Sequence, residues 1–164
     1  MLHVLVFVSG LTVLGCELTA SRLLAPYFGT SLFIWANVIG LILLYLTAGY
    51  WIGGRLSDRA PIRAALYHAC AFAAIFIGLV PYLARPILWF SSYGFASVSL
   101  GIFWGSLLGV VGLFLVPLTL LGCVSPWSVR LAVTDVAGAG RTAGSLYALS
   151  TLGSLAGAYL PVLL

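Results

Sequence analysis

The sequence predicts an all-α protein, a polytopic bundle of five transmembrane helices, with a short sixth span left open. Hydrophobic residues make up 63% of the chain and charged residues only 6%, whereas about a quarter of the residues in a soluble domain are charged. The apolar residues also form stretches of about 20, the length that crosses the hydrocarbon core of a bilayer. Seven basic and three acidic side chains could not cover a soluble fold of 164 residues. We therefore expect the chain to be surrounded by lipid.

Glycine and proline divide the chain into five candidate spans within a single helical domain. Pro26 and Gly29 precede the second span, Pro61 begins the third, and Gly138 and Gly140 precede the last. The first apolar run contains an acid and has no basic residue before it, which indicates a retained helix rather than a cleaved signal peptide. The predicted spans are residues 2–24, 32–54, 62–81, 101–124 and 142–164.

Residues 82–98 follow the pattern least clearly. Two prolines interrupt the apolar run at its start, and Trp89, Phe90 and Tyr93 follow them. Aromatic residues of this kind are typical of the headgroup level of a membrane. We predict an interfacial segment over about residues 82–98, and the alternative is the short sixth span.

The orientation is predicted from arginine, which accounts for all seven basic residues. Arginine is enriched in cytoplasmic loops, and a cytoplasmic N-terminus leaves only Arg22 and Arg85 on the outer side. We therefore expect an integral protein of a prokaryotic inner membrane with its N-terminus in the cytoplasm. The net charge of +4 forms no basic stripe, so we expect no nucleic-acid partner. The cytoplasmic arginines are Arg55, Arg59, Arg63, Arg130 and Arg141.

Cofactor and enzyme chemistry are not expected from the residues present. Cys16, Cys70 and Cys123 lie in or beside apolar runs and form no CxxC pair, which is typical of small buried hydrophobes. His3 and His68 are conceivable axial ligands of a haem or a pigment, but a lone histidine on a membrane helix is more often a hydrogen-bonded packing residue. No paired carboxylates or Ser/His/Asp set occur, so we predict no metal, no cofactor and no enzymatic site.

Glu17 is the strongest candidate for chemistry. An acid inside a span costs at least ~2.5 kcal/mol unless it is paired or faces a polar cavity. Arg22 lies about 140° around the helix and is a poor partner, while Ala20 and Ser21 share the face of Glu17. Either Glu17 couples a proton or a cation, or it is a structural carboxylate bonded to a neighbouring helix. Asn37 in the second span either lines the same cavity or makes an interhelical hydrogen bond, which is the simpler account.

Glycines recur at four-residue spacing in three of the spans. Such faces let helix backbones approach closely in lipid, where hydrophobicity alone does not bring helices together. The pattern favours a tightly packed bundle or an oligomer held by helix contacts. The sets are Gly49 with Gly53, then Gly101, Gly105 and Gly109, and finally Gly153 with Gly157.

Charge is concentrated in the stretch GGRLSDRAPIR at residues 53–63, between the second and third spans. Gly53 and Gly54 allow close packing, and Asp58 can face arginines or a helix N-terminus. Arg59 can anchor the loop at an anionic membrane surface. The stretch resembles the G-x-x-x-D-R loop of the major facilitator superfamily, which joins the second and third helices there. The resemblance implies a cytoplasmic loop that acts in gating and also includes Arg55, although the residues after D-R depart from the family pattern.

A closer resemblance covers nearly the whole chain in four separated blocks. They are SGLTVLGCELTASRLLAPYFGTSLFIW, GYWIGGRLSDR, VPLTLLGCVSPWSVRL and AGSLYALSTLGSLAGAYLP. These blocks resemble the membrane domain of fused major-facilitator/spermidine-synthase-like proteins, in which a half-transporter-like bundle precedes a soluble aminopropyltransferase domain. The matching positions are Glu17, Arg22, Gly29, Gly54, Arg55, Asp58, Arg59, Pro117, Gly122, Pro126, Arg130, Gly144, Tyr147, Gly153 and Gly157.

The resemblance implies a half-major-facilitator bundle and a link to polyamine or small-cation handling. The synthase domain is not present in the sequence, so aminopropyl transfer is not expected, and the chain is either a membrane fragment or a stand-alone member. The first hypothesis is a transport domain that dimerises or pairs, with Glu17 as the coupling group, Asn37 in the cavity and Asp58 with Arg59 as a gate. The second is a non-catalytic accessory subunit of a larger, perhaps bioenergetic, membrane assembly. A pigment- or haem-binding role is the weakest of the three.

Overall fold

The computed structural model describes residues 1–94 and 101–163, and these residues form five long α-helices without a β-strand. Each helix is long and apolar enough to cross a membrane, which confirms the predicted all-α class and is consistent with an integral membrane protein. In lipid every backbone amide must find a partner within the protein, and a helix supplies these partners within one segment. The helices are α1 (Leu2–Phe28), α2 (Leu32–Arg59), α3 (Arg63–Gly94), α4 (Gly101–Ala132) and α5 (Ala139–Leu163).

α4 is the central helix of the bundle. More than half of its most apolar stretch is buried (56%), compared with 11% for α3 and 17% for α5. α2 and α3 both pack along α4, whereas α5 packs mainly along α1. The side of α1 that carries Ala20 and Leu24 joins the core of α4. The bundle therefore consists of a three-helix layer, α2–α4–α3, and a helix pair, α1–α5, joined chiefly through α1 and α4.

The helices alternate in direction. The Ser154 hydroxyl on α5 donates to the Gly10 carbonyl on α1 at 3.2 Å, and Arg22 donates to the carbonyl of Pro161 further along both helices. α1 and α5 are therefore parallel. α2 and α4 are also parallel. Asn37 and Ser106, each near the start of its helix, are hydrogen-bonded, and Asp58 and Arg130, each near the end, form an ion pair. As a result the N-terminus, the α2–α3 junction and the α4–α5 connection all lie at one end of the bundle.

We call this the arginine-rich end, because five of the seven arginines lie there. Asp58 and Arg130 form an ion pair at this end, with 3.4 Å between the carboxylate oxygen and Nε. The guanidinium of Arg55 lies over the ring of Trp51, 3.5 Å from its centroid. The five arginines are Arg55, Arg59, Arg63, Arg130 and Arg141.

α3 does not end near residue 81, where the sequence predicted the start of a separate segment. The helix continues through Pro81 and Pro86 to Gly94, and Ala84 and Leu88 are buried against α4. Proline removes one backbone hydrogen bond, a loss that neighbouring helices can make good within a membrane bundle. Residues 82–94 are therefore the last turns of α3 and not a sixth span, while residues 95–98 lie outside the described residues.

The stretch at residues 53–63 also differs from its prediction as a loop. Gly53, Gly54, Arg55, Asp58 and Arg59 all belong to the last two turns of α2. The break is confined to residues 60–62 before α3 begins at Arg63. Glycine in this position does not end the helix, because Gly53 packs its backbone against Cys123 on α4 and the contact stabilises the helical conformation.

The spaced glycines lie in interfaces between helices of the same chain. A Cβ on Gly49 would collide with Gly122 and with the carbonyl of Thr119 on α4. On α5, Gly153 and Gly157 lie against the backbone of α1. Gly105 and Gly109 contact Phe28, Ser91 and Leu88 of α1 and α3. Six of the seven spaced glycines, Gly49, Gly53, Gly105, Gly109, Gly153 and Gly157, therefore pack helices of this chain against one another.

Candidate functional site

Glu17 is partly buried in the middle of α1. Among the described residues, Glu17 forms neither an ion pair nor a hydrogen bond. The ion pair that the structure does contain joins Asp58 to Arg130. Arg22 donates instead to the Pro161 carbonyl in the last turn of α5. The two charged groups of α1 are thus separated, as their spacing of about 140° around the helix predicts.

The position of Glu17 on α1 is given by its neighbours one and two turns away. Gly10, two turns before it, packs against Ser150 of α5, whereas Ala20 and Leu24, one and two turns after it, are buried in the core beside α2 and α4. Residues seven apart share nearly one face of a helix. Glu17 therefore lies on the side of α1 between α5 and the core, rather than on the side that faces α3.

α2 and α5 flank this side of α1 without packing against each other. Both helices contact α1 and α4, yet none of their described residues approach each other closely along the backbone. Glu17 therefore lies on a side of α1 that α2 and α5 flank without closing over it.

Most serine and threonine side chains in the described helices bond to their own backbone. Thr12 donates to Val8 at 2.7 Å and Thr119 to Leu115 at 2.6 Å, each to a carbonyl one turn earlier. Such bonds satisfy serine and threonine in lipid without a partner helix. Against this background Glu17 is the unusual polar group, because a carboxylate has no hydrogen to donate to a backbone carbonyl unless it is protonated.

Asn37 joins α2 to α4. Its amide nitrogen donates to the Phe103 carbonyl at 2.9 Å and to the Ser106 hydroxyl at 2.8 Å, and its side chain is buried, with 6% exposed. The structure therefore supports the interhelical hydrogen bond, the simpler of the two accounts, and not a role for Asn37 in lining an open cavity.

Three buried polar atoms were not singled out by the sequence. They are the hydroxyls of Tyr45 and Ser128 and the indole nitrogen of Trp127, which have no hydrogen-bond partner among the described residues. Single tyrosine, serine and tryptophan residues are common in apolar helices, so no sequence signal distinguishes them. Tyr45 and Trp127 belong to the hydrophobic core, and Ser128 is fully buried on α4.

His3 and His68 are not brought together as a ligand pair. His3 lines a cavity with Arg63 at the arginine-rich end, while His68 is exposed on α3. In residues 1–94 and 101–163 no three His, Cys, Asp or Glu side chains are grouped as a metal site would require.

Two apolar cavities lie on the opposite side of α1 from Glu17. One of about 500 Å³ lies between α1 and α3 with Leu121 of α4 in its lining. Another of about 320 Å³ adjoins it further along the same two helices. Glu17 lines neither cavity. Sequence reasoning missed both, because a cavity depends on how far apart two distant helices are placed.

No family model, no curated protein and no solved structure matches this chain.

Proposed function

We propose that the protein is a transport-type membrane domain, similar to the helical domain of spermidine-synthase-like proteins, in which Glu17 binds or couples a polyamine or small cation. The observation that carries the proposal is the placement of Glu17, a partly buried carboxylate without a partner in the described residues. Acids inside membrane spans are costly and mark ion or proton pathways. A cation entering between α2 and α5 would supply the missing partner.

The helix packing places Glu17 where two parallel helix pairs meet. α1 packs along α5 and α4 packs along α2, and the two pairs are joined where α1 contacts α4. Glu17 lies on α1 beside this contact.

The Asp58–Arg130 pair supports a gate at the arginine-rich end. The pair joins α2 to α4, and the two side chains are 74% and 49% exposed, respectively. An exposed ion pair contributes only ~0–1 kcal/mol, so it can open and close without unfolding the bundle. Arg59, the last residue of α2, adds positive charge beside this pair.

The membrane orientation belongs to the same proposal. We place the arginine-rich end in the cytoplasm of a prokaryotic cell, because arginine is enriched on that side of inner-membrane proteins. On α3 the residues from Arg63 to Arg85 rise about 33 Å at ~1.5 Å per residue. This matches a hydrocarbon core of about 30 Å and leaves the exposed Trp89, Phe90 and Tyr93 at the outer headgroup level.

The test is flux through the reconstituted protein. Proteoliposomes containing the full chain are assayed for labelled spermidine uptake and for proton movement with a pH-sensitive dye. We expect Glu17→Gln to reduce the rate at least tenfold, because the substitution removes the charge and keeps the shape. Asp135→Asn is the matched control, since Asp135 is an exposed acid that accepts a hydrogen bond from Gly138; its rate should equal that of the original protein.

Stability separates a functional carboxylate from a structural one. If Glu17 is unpartnered, Glu17→Gln should leave thermal stability in detergent unchanged or raise it, because a partly buried charge is removed. A structural carboxylate bonded to a neighbouring helix would instead lose stability on the same change. Loss of stability with no measurable flux in the original protein would favour the alternative, an accessory subunit of a larger membrane assembly.

A further inference from the structure

The apolar cavity between α1 and α3 has the depth of one bilayer leaflet. Its α3 lining extends from Tyr67 to Ile77, which is about 15 Å along a helix at ~1.5 Å per residue. The hydrocarbon core of a bilayer is about 30 Å thick, so the cavity covers about half of it. Val4 and Val8 form the opposite wall on α1 and are 64% and 49% exposed.

A polar cavity continues the apolar one at the arginine-rich end. It has a volume of about 430 Å³ and shares Met1 and Tyr67 with the apolar cavity. His3, Arg63 and Thr134 line it, and the Arg63 guanidinium gives the mouth a full positive charge, whereas no charged side chain lines the apolar cavity. Arg63 is the first residue of α3, and the positive end of that helix dipole adds to the attraction for an anion.

The described acidic side chains do not neutralise Arg63. Asp58 is paired with Arg130, and Asp135 accepts a hydrogen bond from the backbone of Gly138. Neither residue lines the polar cavity. The mouth therefore has an arginine whose charge is not balanced by an ion pair within residues 1–94 and 101–163.

We infer that the two joined cavities bind one anionic phospholipid from the leaflet at the arginine-rich end. Its phosphate lies against Arg63 and His3, and one acyl chain lies between α1 and α3 over Leu121. Basic pockets between transmembrane helices are known to bind anionic headgroups. The next apolar cavity, which shares Thr12 and Ile77 with the first, has no charged residue in its lining. The charge thus selects the lipid of one leaflet.

The inference is independent of transport, because Glu17 lies on the other side of α1. It is tested by native mass spectrometry of the full chain in nonionic detergent. Phosphatidylglycerol and phosphatidylcholine with identical acyl chains are added separately. We expect phosphatidylglycerol to be retained with several-fold higher affinity. Arg63→Gln should reduce that preference roughly fivefold, the contribution of one basic residue near an anionic surface, and Arg63→Lys should keep most of it.

Two matched controls isolate the site. Arg59→Gln removes an arginine at the same end that does not line the cavity, and it should leave the preference unchanged. Ala74→Trp should fill the apolar cavity and weaken retention of both lipids, whereas Ile75→Trp alters an exposed neighbour outside the lining and should not. Circular dichroism and a monodisperse elution profile establish that each variant is folded.

A photo-crosslinking residue at Ala71, which lines the cavity, identifies the occupant in native membranes. Adducts with phospholipid support the inference. Adducts with a helix of another protein, or of a second copy of this chain, overturn it. A folded Arg63→Gln variant that keeps the full preference for phosphatidylglycerol also overturns it, and so does a folded Ala74→Trp variant that retains both lipids normally.

Discussion

α1 packs closely against α5 along one side and leaves open cavities against α3 along the other, although both sides of the helix are apolar. On the α5 side, Gly10, Gly153 and Gly157 bring the two backbones into contact. On the α3 side, Val4, Val8 and Ile77 surround a cavity of about 500 Å³. Lipid tails are as apolar as these side chains, so hydrophobicity does not favour closure of either side. Close approach of small residues does, and only the α5 side has it.

The largest expected effect comes from adding a methyl group to the closed side. Gly153→Ala would place Cβ against the backbone of Phe7 and Leu11, and overpacking of this kind costs about 1–3 kcal/mol. Thermal unfolding in detergent, followed by circular dichroism, should show a clearly lowered midpoint.

Gly144→Ala is the control on the same helix. Nothing lies within 4 Å of a Cβ at Gly144, and alanine favours a helix over glycine by ~1 kcal/mol. The midpoint should stay the same or rise. Equal effects of the two alanine substitutions would show that glycine contacts do not hold α1 against α5.

α2 and α4 form a second closed interface. It is held by glycine contacts and also by the hydrogen bonds of one side chain, Asn37. Asn37→Ala removes the donor to Phe103 and Ser106, and interhelical bonds in membranes contribute about 0.6 kcal/mol on average and up to ~1.7. We expect a loss in that range by equilibrium unfolding in mixed detergent. Ser106→Ala should cost less, because Asn37 would still donate to the Phe103 carbonyl. A larger cost for Ser106→Ala would contradict the assignment.

The exposed Asp58–Arg130 ion pair lies at the end of the α2–α4 interface. It should contribute less to the free energy of unfolding than the glycine contacts of that interface do. Asp58→Asn, Arg130→Gln and the double variant form a cycle whose coupling energy we expect at about 0–1 kcal/mol. The unfolding midpoint measures it. Flux in proteoliposomes is the second measurement, because a gating pair should change the transport rate even where stability is unaffected. A coupling energy well above 1 kcal/mol would instead make the pair a structural element of the α2–α4 interface.

The smallest effect is expected on the open side of α1. Val8→Ala shortens a side chain that already faces the cavity and is 49% exposed. Detergent or lipid fills the space, so the free energy of unfolding should change by no more than about 0.5 kcal/mol. A loss comparable to that of Gly153→Ala would mean that α1 and α3 close against each other in the membrane.

Comparison of predicted and observed helix ends shows what hydropathy can locate. The apolar stretches are detected because a bilayer selects about 20 apolar residues, yet α2 continues from the apolar region to Arg59 and α4 to Ala132. Polar turns beyond the hydrocarbon core leave no hydropathy signal. Proline was a misleading signal in α3, because Pro81 and Pro86 lie within a continuous helix.

The candidate site was predictable only in part. Glu17 stood out because an acid in an apolar run is rare and costly. Its lack of a partner among the described residues depends on helices distant in sequence, and so does the placement of the two cavities on the other side of α1. From the sequence Arg63 is one of several arginines near loops, and only the structure places it in the lining of the same cavity as His3.

By itself, the sequence indicated that the protein suits a lipid bilayer, that it is helical, and which residues allow close packing. These features depend on local composition and spacing. The tertiary structure decided which helix each glycine contacts, that Asn37 bonds to α4, and that α1 has one closed side and one open side. In lipid, apolar helices gain little from contact as such. Pairing therefore follows the fit of backbones that only the folded bundle brings together.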